Sequence, residues 1–332
     1  MPSPALLITG GAGYIGSHTT RLLAEAGERI VVLDTLELGH RESLISPGVT
    51  FVQGDLADAD VLEKIFSEQQ IEAVLHFAAY ALVGESVTEP LKYYRNNFAT
   101  PLTLLETMKR HGCRQFIFSS TCATYGNPQS IPMDEEHPQL PINPYGASKL
   151  MLERALLDSE SAWGLRTVIL RYFNACGGAE DGLIGEDHEP ETHLIPRALL
   201  AALGRVPALT VFGTDFPTPD GTCIRDYINV LDLAEAHASA LRYLRTGKAS
   251  TACNLGTGHG VSVKEIIRMA EEVSGRKVPV VYGGRREGDP PELVGNPAKA
   301  EAVLGWTAKH RDPRAMISAS WKWFSCPRGG KF

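Results

Sequence analysis

The chain has 332 residues, 43% hydrophobic and 21% charged, with a formal net charge of −7. This is about twice the length of a typical domain with an ordinary globular composition, so disorder as the main state is excluded and one or two domains with a large core are expected. The acidic balance argues against nucleic acid as a partner, and no run approaches the roughly 18 unbroken apolar residues of a membrane helix.

Pro2 and Pro4 lead straight into Ala5, Leu6, Leu7 and Ile8 with no basic segment or cleavable apolar stretch ahead of them, which points to a soluble cytoplasmic protein. From there to residue 175, short β-rich runs alternate with amphipathic stretches. Strands are predicted at Ala5 to Thr9, Arg29 to Asp34, Val49 to Gln53, Glu72 to Ala78, Gln115 to Ser120 and Arg166 to Arg171. Helices are predicted at Tyr14 to Gly27, Asp58 to Glu68, Leu91 to His111 and Tyr145 to Gly164. This order is that of a doubly wound α/β fold with a parallel sheet. Between Asn127 and Pro144 lie five prolines, which remove backbone donors and fix φ, so that segment is a loop. The Gly- and acid-rich stretch Gly177 to Glu191 is expected to leave the sheet. Beyond it the alternation turns irregular. Helices are predicted at Leu194 to Gly204, Val230 to Arg245, Val263 to Ser274 and Ala315 to Phe324, and strands at Ala208 to Phe212, Ala252 to Leu255 and Val278 to Tyr282. We read residues 1–175 as a dinucleotide-binding domain to which parts of 208–255 return, and 176–332 as a smaller α/β substrate domain.

The six cysteines (Cys113, Cys122, Cys176, Cys223, Cys253, Cys326) lie far apart, with no CxxC pair and no histidine at zinc-finger spacing, so no metal site and no disulfide framework is expected. Nothing supplies Cys122 with an activating base.

Gly10, Gly11, Gly13 and Gly16 stand in ITGGAGYIGSH between the first strand and the first helix. There a turn needs positive φ, the backbone must approach a pyrophosphate, and the helix N-terminus offers free N–H donors. The fold expected is therefore of the Rossmann type. The second strand ends at Asp34, 18 residues beyond Gly16, where a carboxylate accepts both ribose hydroxyls and repels a 2′-phosphate. NAD is favoured over NADP. Asp55 ends the third strand and either meets the adenine amino group or caps the following helix.

Tyr145 and Lys149 form a YxxxK pair in NPYGASK, on one face of a helix at i, i+4 spacing. An ammonium beside a phenol, together with an oxidised nicotinamide, is expected to bring the phenol pKa down from about 10 toward neutrality, making a base for an alcohol. Ser119, Ser120 and Thr121 close the strand that points at them, and one hydroxyl can bridge a substrate oxygen and Tyr145.

At this point the chain resembles the extended short-chain dehydrogenase/reductases, and within them the enzymes that invert C4 of UDP-hexoses. Besides TGGAGYIGSH and YGASK, the resemblance runs through HFAAYALVGESV, YYRNN, FIFSSTCATYG, LRYFN, GTCIRDYINV, CNLGTG and RREGD, in order from Thr9 to Asp289. It implies NAD along Gly10, Gly13, Tyr14, Ile15, Gly16, Asp34, Asp55, Leu56, Phe77, Ala78, Ala79, Asn96, Lys149 and Phe173. It implies a UDP-sugar across Thr121, Tyr145, Asn174, His193, Phe212, Arg225, Arg286, Asp289 and Leu293, with the two arginines clamping the diphosphate. Catalysis falls to Tyr145, Lys149 and Thr121: the phenolate takes the C4 hydroxyl proton, hydride passes to the nicotinamide, and the 4-keto sugar turns over and is reduced on its other face. Three departures from the best-known bacterial pattern stand out. Thr121 replaces Ser, Ala81 replaces a Lys that can reach the cofactor, and Leu293 stands at the gate to the sugar, where other members carry Tyr or Cys. UDP-N-acetylglucosamine, UDP-pentose or UDP-glucuronate epimerisation is the alternative activity. A 4,6-dehydratase would need a carboxylate beside Thr121, where Cys122 and Ala123 stand. The resemblance also implies a homodimer joined through the helices at Leu91 to His111 and Tyr145 to Gly164.

Overall fold

The computed structural model describes residues 3–286 and 288–332. The amino-terminal half builds β1 (Ala5–Thr9), α1 (Tyr14–Glu25), β2 (Arg29–Asp34), β3 (Thr50–Gln53), α2 (Ala59–Glu68), β4 (Ile71–His76), α3 (Val83–Thr88), α4 (Pro90–Tyr94), α5 (Thr100–His111), β5 (Gln115–Thr121), α6 (Pro144–Trp163) and β6 (Arg166–Tyr172). The remainder builds β7 (Asn174–Cys176), α7 (Leu194–Ala202), β8 (Leu209–Phe212), β9 (Ile224–Asn229), α8 (Val230–Arg245), β10 (Thr251–Leu255), β11 (Gly260–Ser262), α9 (Val263–Ser274), β12 (Val280–Gly283), β13 (Glu292–Leu293), α10 (Ala298–Leu304) and α11 (Pro313–Ser325).

Seven strands form one parallel sheet in the order β10-β6-β5-β4-β1-β2-β3. The order reverses direction between β1 and β4, and such a switch point leaves a crevice beyond the strands' carboxyl ends. Apolar residues cover both faces, which is why the strands read as continuous hydrophobic runs. Leu6, Ile8, Val32, Leu75 and Ile117 meet α1 and α8 on one side, and Leu7, Val31, Val74, Phe116 and Phe118 meet α2, α5 and α6 on the other. Within residues 208–255, α8 packs on α1 and β10 pairs with β6, whereas β8 pairs with β12 and β9 joins a separate small sheet. In that sheet β9 lies between antiparallel β11 and parallel β13, and β7 also pairs with it in parallel. A third core, with Ile195, Leu199, Ile266, Met316 and Trp323, sits among α7, α9 and α11.

The single helix expected from Leu91 to His111 is a broken one. Pro101 lacks the N–H that would bond to the Asn97 carbonyl, and the chain widens into a π-helical turn over Arg95–Ala99 before α5 begins. Strands β7, β9, β11 and β13 escape sequence reasoning because they are short and carry polar residues such as Arg225, Asp226 and Asn229. Among the described residues no helix is long and apolar enough to cross a membrane.

Candidate active site

The turn between β1 and α1 is built on close backbone approach. Gly10 adopts φ +71°, and a Cβ there would sit 2.5 Å from the Ala78 nitrogen. A Cβ on Gly16 would collide with the Gly10 carbonyl oxygen, so α1 reaches the turn only as glycine. The N–H groups of Tyr14, Ile15 and Gly16 precede the first i→i−4 bond of α1, from Ser17 N–H to the Gly13 carbonyl at 2.9 Å, and stand at a positive helix end. Asp34 is buried at the end of β2, with Oδ2 accepting from Ala12 N–H at 3.0 Å and Oδ1 from Leu36 N–H at 2.9 Å. Leu36 itself is held at φ +63°. The carboxylate thereby faces the same turn as the free N–H groups, an arrangement that fits the pyrophosphate and adenosine ribose of a dinucleotide.

Phe77, Ala78 and Ala79 follow β4 directly, with the N–H groups of Phe77 and Ala78 both bonded to the Thr9 carbonyl. Asp55 is exposed and closes an Asx turn onto Ala57 N–H at 2.8 Å, while the cap of α2 is Asp58, which accepts from Asp60 and Val61. Asp55 therefore remains a strand-end acid open to a ligand. Leu56 sends its side chain into the core with Leu33 and Leu62, and the Tyr14 phenol is buried, donating to the Gly177 carbonyl at 2.9 Å. Asn96 lies in the π turn and donates to Asn97. Sequence reasoning missed Asn97, which is buried and holds the Tyr80 backbone at both N–H and C=O, at 2.9 Å each. Its signal was the paired asparagine in YYRNN.

The hydroxyls that end β5 divide by neighbour. Ser119 bonds to the Tyr172 phenol at 2.5 Å and Ser120 to Glu153 at 2.5 Å, which leaves Thr121 as the one directed at Tyr145. Thr121 also caps the turn Cys122–Thr124 by accepting from Ala123 N–H at 3.1 Å. Asn143 caps α6 by accepting from Gly146 N–H at 2.9 Å, which starts the helix so that Tyr145 lies in its first turn. Lys149, one turn on, donates to the Ser119 carbonyl at 2.9 Å. Beneath them Glu153 accepts from Arg171 Nε at 3.0 Å and Nη2 at 2.7 Å. Arg171 Nη1 donates to the Tyr125 hydroxyl at 3.0 Å, and that hydroxyl donates to Asn254 at 2.6 Å. This buried network ties α6 to the ends of β6 and β10.

Burial dominates the electrostatics. It pushes the Tyr145 phenol up, with Tyr172 adding to the effect and the Thr121 hydroxyl opposing it. It pulls Lys149 down to about 7, against the attraction of Glu153. In the chain without cofactor, the loss of water around the ring therefore holds the phenol up. Cys122 is driven up to about 12 by burial.

Arg225 lies close enough to Cys122 for its charge to act on the thiol, which connects this centre to the small sheet. Its Nη2 is 3.8 Å from Asp289, and Arg286 Nε is 3.0 Å from the other oxygen of that carboxylate while its guanidinium lies 4.7 Å over the Phe212 ring. Phe212, Arg225, Arg286 and Asp289 are therefore one cluster; Glu287 of the RREGD motif lies outside the described residues. Asp226, the other charge of RDYI, turns inward and accepts from Thr257 and Gly258 N–H at 2.9 and 3.1 Å. Leu293 pairs with Arg225 across β13 and β9 and packs with Cys122 against Tyr125, Met133 and Phe173. Asn174 lies in β7 at the register of Tyr227. His193 heads α7 and, with Glu186, His188 and Glu191, makes a group whose nitrogen and oxygen atoms all lie within 4.8 Å of one another. Burial opposes protonation of His188, but the carboxylates of Glu186 and Glu191 beside it outweigh that and raise the imidazole to about 9. The spacing E-x-H-x-x-E-x-H was the unread signal.

A glycine-lined turn, an acidic strand end and a Tyr–Lys pair, all at the carboxyl edge of a doubly wound sheet, define a dinucleotide-dependent enzyme that works on an alcohol carbon. The chain belongs to the NAD dependent epimerase/dehydratase family, whose profile matches residues 6–256. It is 51% identical over 323 residues to the UDP-glucose 4-epimerase of Rhizobium leguminosarum bv. trifolii, covering 97% of this chain and 98% of that protein. The crystal structure of UDP-glucose 4-epimerase from Brucella ovis in complex with NAD matches with TM-score 0.93 at 47% identity, over 96% of this chain and 99% of that one. That of the Bifidobacterium longum UDP-glucose 4-epimerase in complex with NAD+ and UDP matches with TM-score 0.92 at 37% identity, over 98% of this chain and 99% of that one.

Proposed function

We propose that the chain is an NAD-dependent UDP-glucose 4-epimerase, interconverting UDP-glucose and UDP-galactose through a 4-keto sugar. The observation that carries this reading is the gathering of Thr121, Tyr145 and Lys149 at the end of β5, in the sheet whose first strand carries the glycine turn, in a chain so similar to enzymes of that name. The first turn of α1 and Asp34 hold the NAD pyrophosphate and ribose. Bound NAD supplies the acceptor and donor of the C4 hydride and a positive charge near the phenol. Tyr145 removes the proton of the C4 hydroxyl and later returns it. Thr121 hydrogen-bonds the sugar oxygen, and Lys149 stabilises the phenolate. Arg225 and Arg286 exchange Asp289 for the UDP diphosphate, anchoring the nucleotide while the hexose turns over. A coupled assay with UDP-galactose tests the reading: conversion to UDP-glucose with no net reduction of added NAD is expected. Stoichiometric accumulation of a keto sugar would refute it.

The same reading includes a homodimer in the cytoplasm. Leu91, Met151 and Leu157 are exposed on α4 and α6, two helices that pack together, and a second copy would cover them. Six free cysteines suit a reducing compartment.

A further inference from the structure

We propose that Glu186, His188, Glu191 and His193 form a binding site for one divalent transition-metal ion of the zinc type, placed behind the dinucleotide turn. His193 Nδ1 lies 2.9 Å from both Glu186 Oε1 and Glu191 Oε1, and His188 Nδ1 lies 3.2 Å from Glu186 Oε1 and 3.6 Å from Glu191 Oε2. These separations bracket the edge of about 3.3 Å that tetrahedral ligands at zinc bond lengths require.

Protons alone serve this group badly. One proton on His193 Nδ1 can be given to only one of two carboxylates at equal distance, and the geometry gives it to Glu191. Among the described residues, Glu186 Oε2, His188 Nδ1 and Glu191 Oε2 are left buried with no hydrogen-bond partner. The side chains of Glu186 and Glu191 are only 3% and 8% exposed. A divalent cation would accept a lone pair from each residue, and two carboxylates with two neutral imidazoles would balance its charge. Two carboxylates held this close together make a field for positive charge.

A surface cleft of about 580 Å³ lined by His188 and Glu191 offers an entry path. The His188 ring stands edge-on to Tyr14, the first residue of α1, at 6.2 Å between centroids. The Tyr14 hydroxyl is bonded to Gly177 at the start of the loop that carries all four ligands. The ion would therefore clasp residues 177–193 against the turn that holds the cofactor.

The test uses untagged, NAD-loaded protein stripped with a chelator and titrated near neutral pH with ZnCl2 by calorimetry and with CoCl2 by visible absorption. The expected result is one Zn2+ per chain at micromolar or tighter Kd, a rise in Tm, and cobalt ligand-field bands of a low-coordinate site. His188→Gln and the isosteric Glu186→Gln should each weaken Zn2+ binding at least tenfold and abolish the rise in Tm. Glu191→Gln stands in for either variant that does not fold by circular dichroism. Absence of stoichiometric Zn2+ binding to the wild type, or undiminished binding in the folded variants, would overturn the site and leave four groups joined by protons.

Discussion

Tyr145 carries the sharpest expectation, because its ring is held by packing against Tyr93 while its hydroxyl does the proposed chemistry. Tyr145→Phe should lower kcat by about 100- to 10,000-fold with bound NAD retained, measured by the coupled assay and by cofactor release on denaturation. Near-normal turnover would remove Tyr145 from its role. Lys149→Ala should lower both turnover and NAD content, since Lys149 also lies against the strand end. Leu293 is the proposed gate to the sugar. Packed on a buried aromatic cluster, it has little freedom to give way, and an N-acetyl group pressed against it should cost about 1–3 kcal/mol. Leu293→Ser should therefore shift the ratio of UDP-N-acetylglucosamine to UDP-glucose turnover upward by one to two decades; an unchanged ratio would mean that another residue is the gate.

At the scale of elements, two glycines of one turn separate folding from binding. A Cβ on Gly13 would meet the Gly10 carbonyl at 3.4 Å, an ordinary contact, whereas one on Gly16 collides with that same oxygen. Gly13→Ala should leave stability within about 1 kcal/mol of wild type while lowering NAD affinity, because only the ligand needs the space. Gly16→Ala should lower Tm itself, since α1 must move off the turn. Equal effects of both on Tm would show that the turn is tight for structural reasons alone. Such readings were legible in the sequence where one residue type has one local job, as with the glycines, Asp34 and the i, i+4 pair of α6. The π turn before α5 was less so, because Pro101 acts on a carbonyl four residues away that also has to be in a helix.

At the scale of the whole molecule, three of the buried histidines link stability to pH. His18 and His237 are drawn down to about 4 and His76 to about 3, in each case mainly by burial. The unfolded chain protonates these groups near pH 6.5, before the folded one does, so stability is full above that pH and falls between about 6.5 and 3. His237, whose ring lies 4.5 Å from Phe77, provides the check. In His237→Leu the loss of stability from pH 6 to 5 should be smaller by up to about 1.4 kcal/mol per pH unit, and an unchanged slope would exclude this residue. Assembly is tested at the same scale: Leu91→Glu with Leu157→Glu should turn a dimer into a monomer by light scattering, and a dimer that survives both charges joins elsewhere.

The sequence by itself determined the doubly wound sheet, the dinucleotide turn, the acid at the end of β2 and the Tyr–Lys pair, because each is a short-range pattern whose chemistry is written within about twenty residues. Tertiary structure decided which of three adjacent hydroxyls is free, since Ser119 is taken by Tyr172 and Ser120 by Glu153, partners 53 and 33 residues away. It also joined Arg225, Arg286 and Phe212 from two strands and a loop, and placed β10 beside β6 across 78 residues of intervening chain. It also decided how deeply Tyr145 is buried, which pushes its phenol up in the chain without cofactor. Desolvation is the sum of everything packed around a group, and no segment of sequence contains that sum.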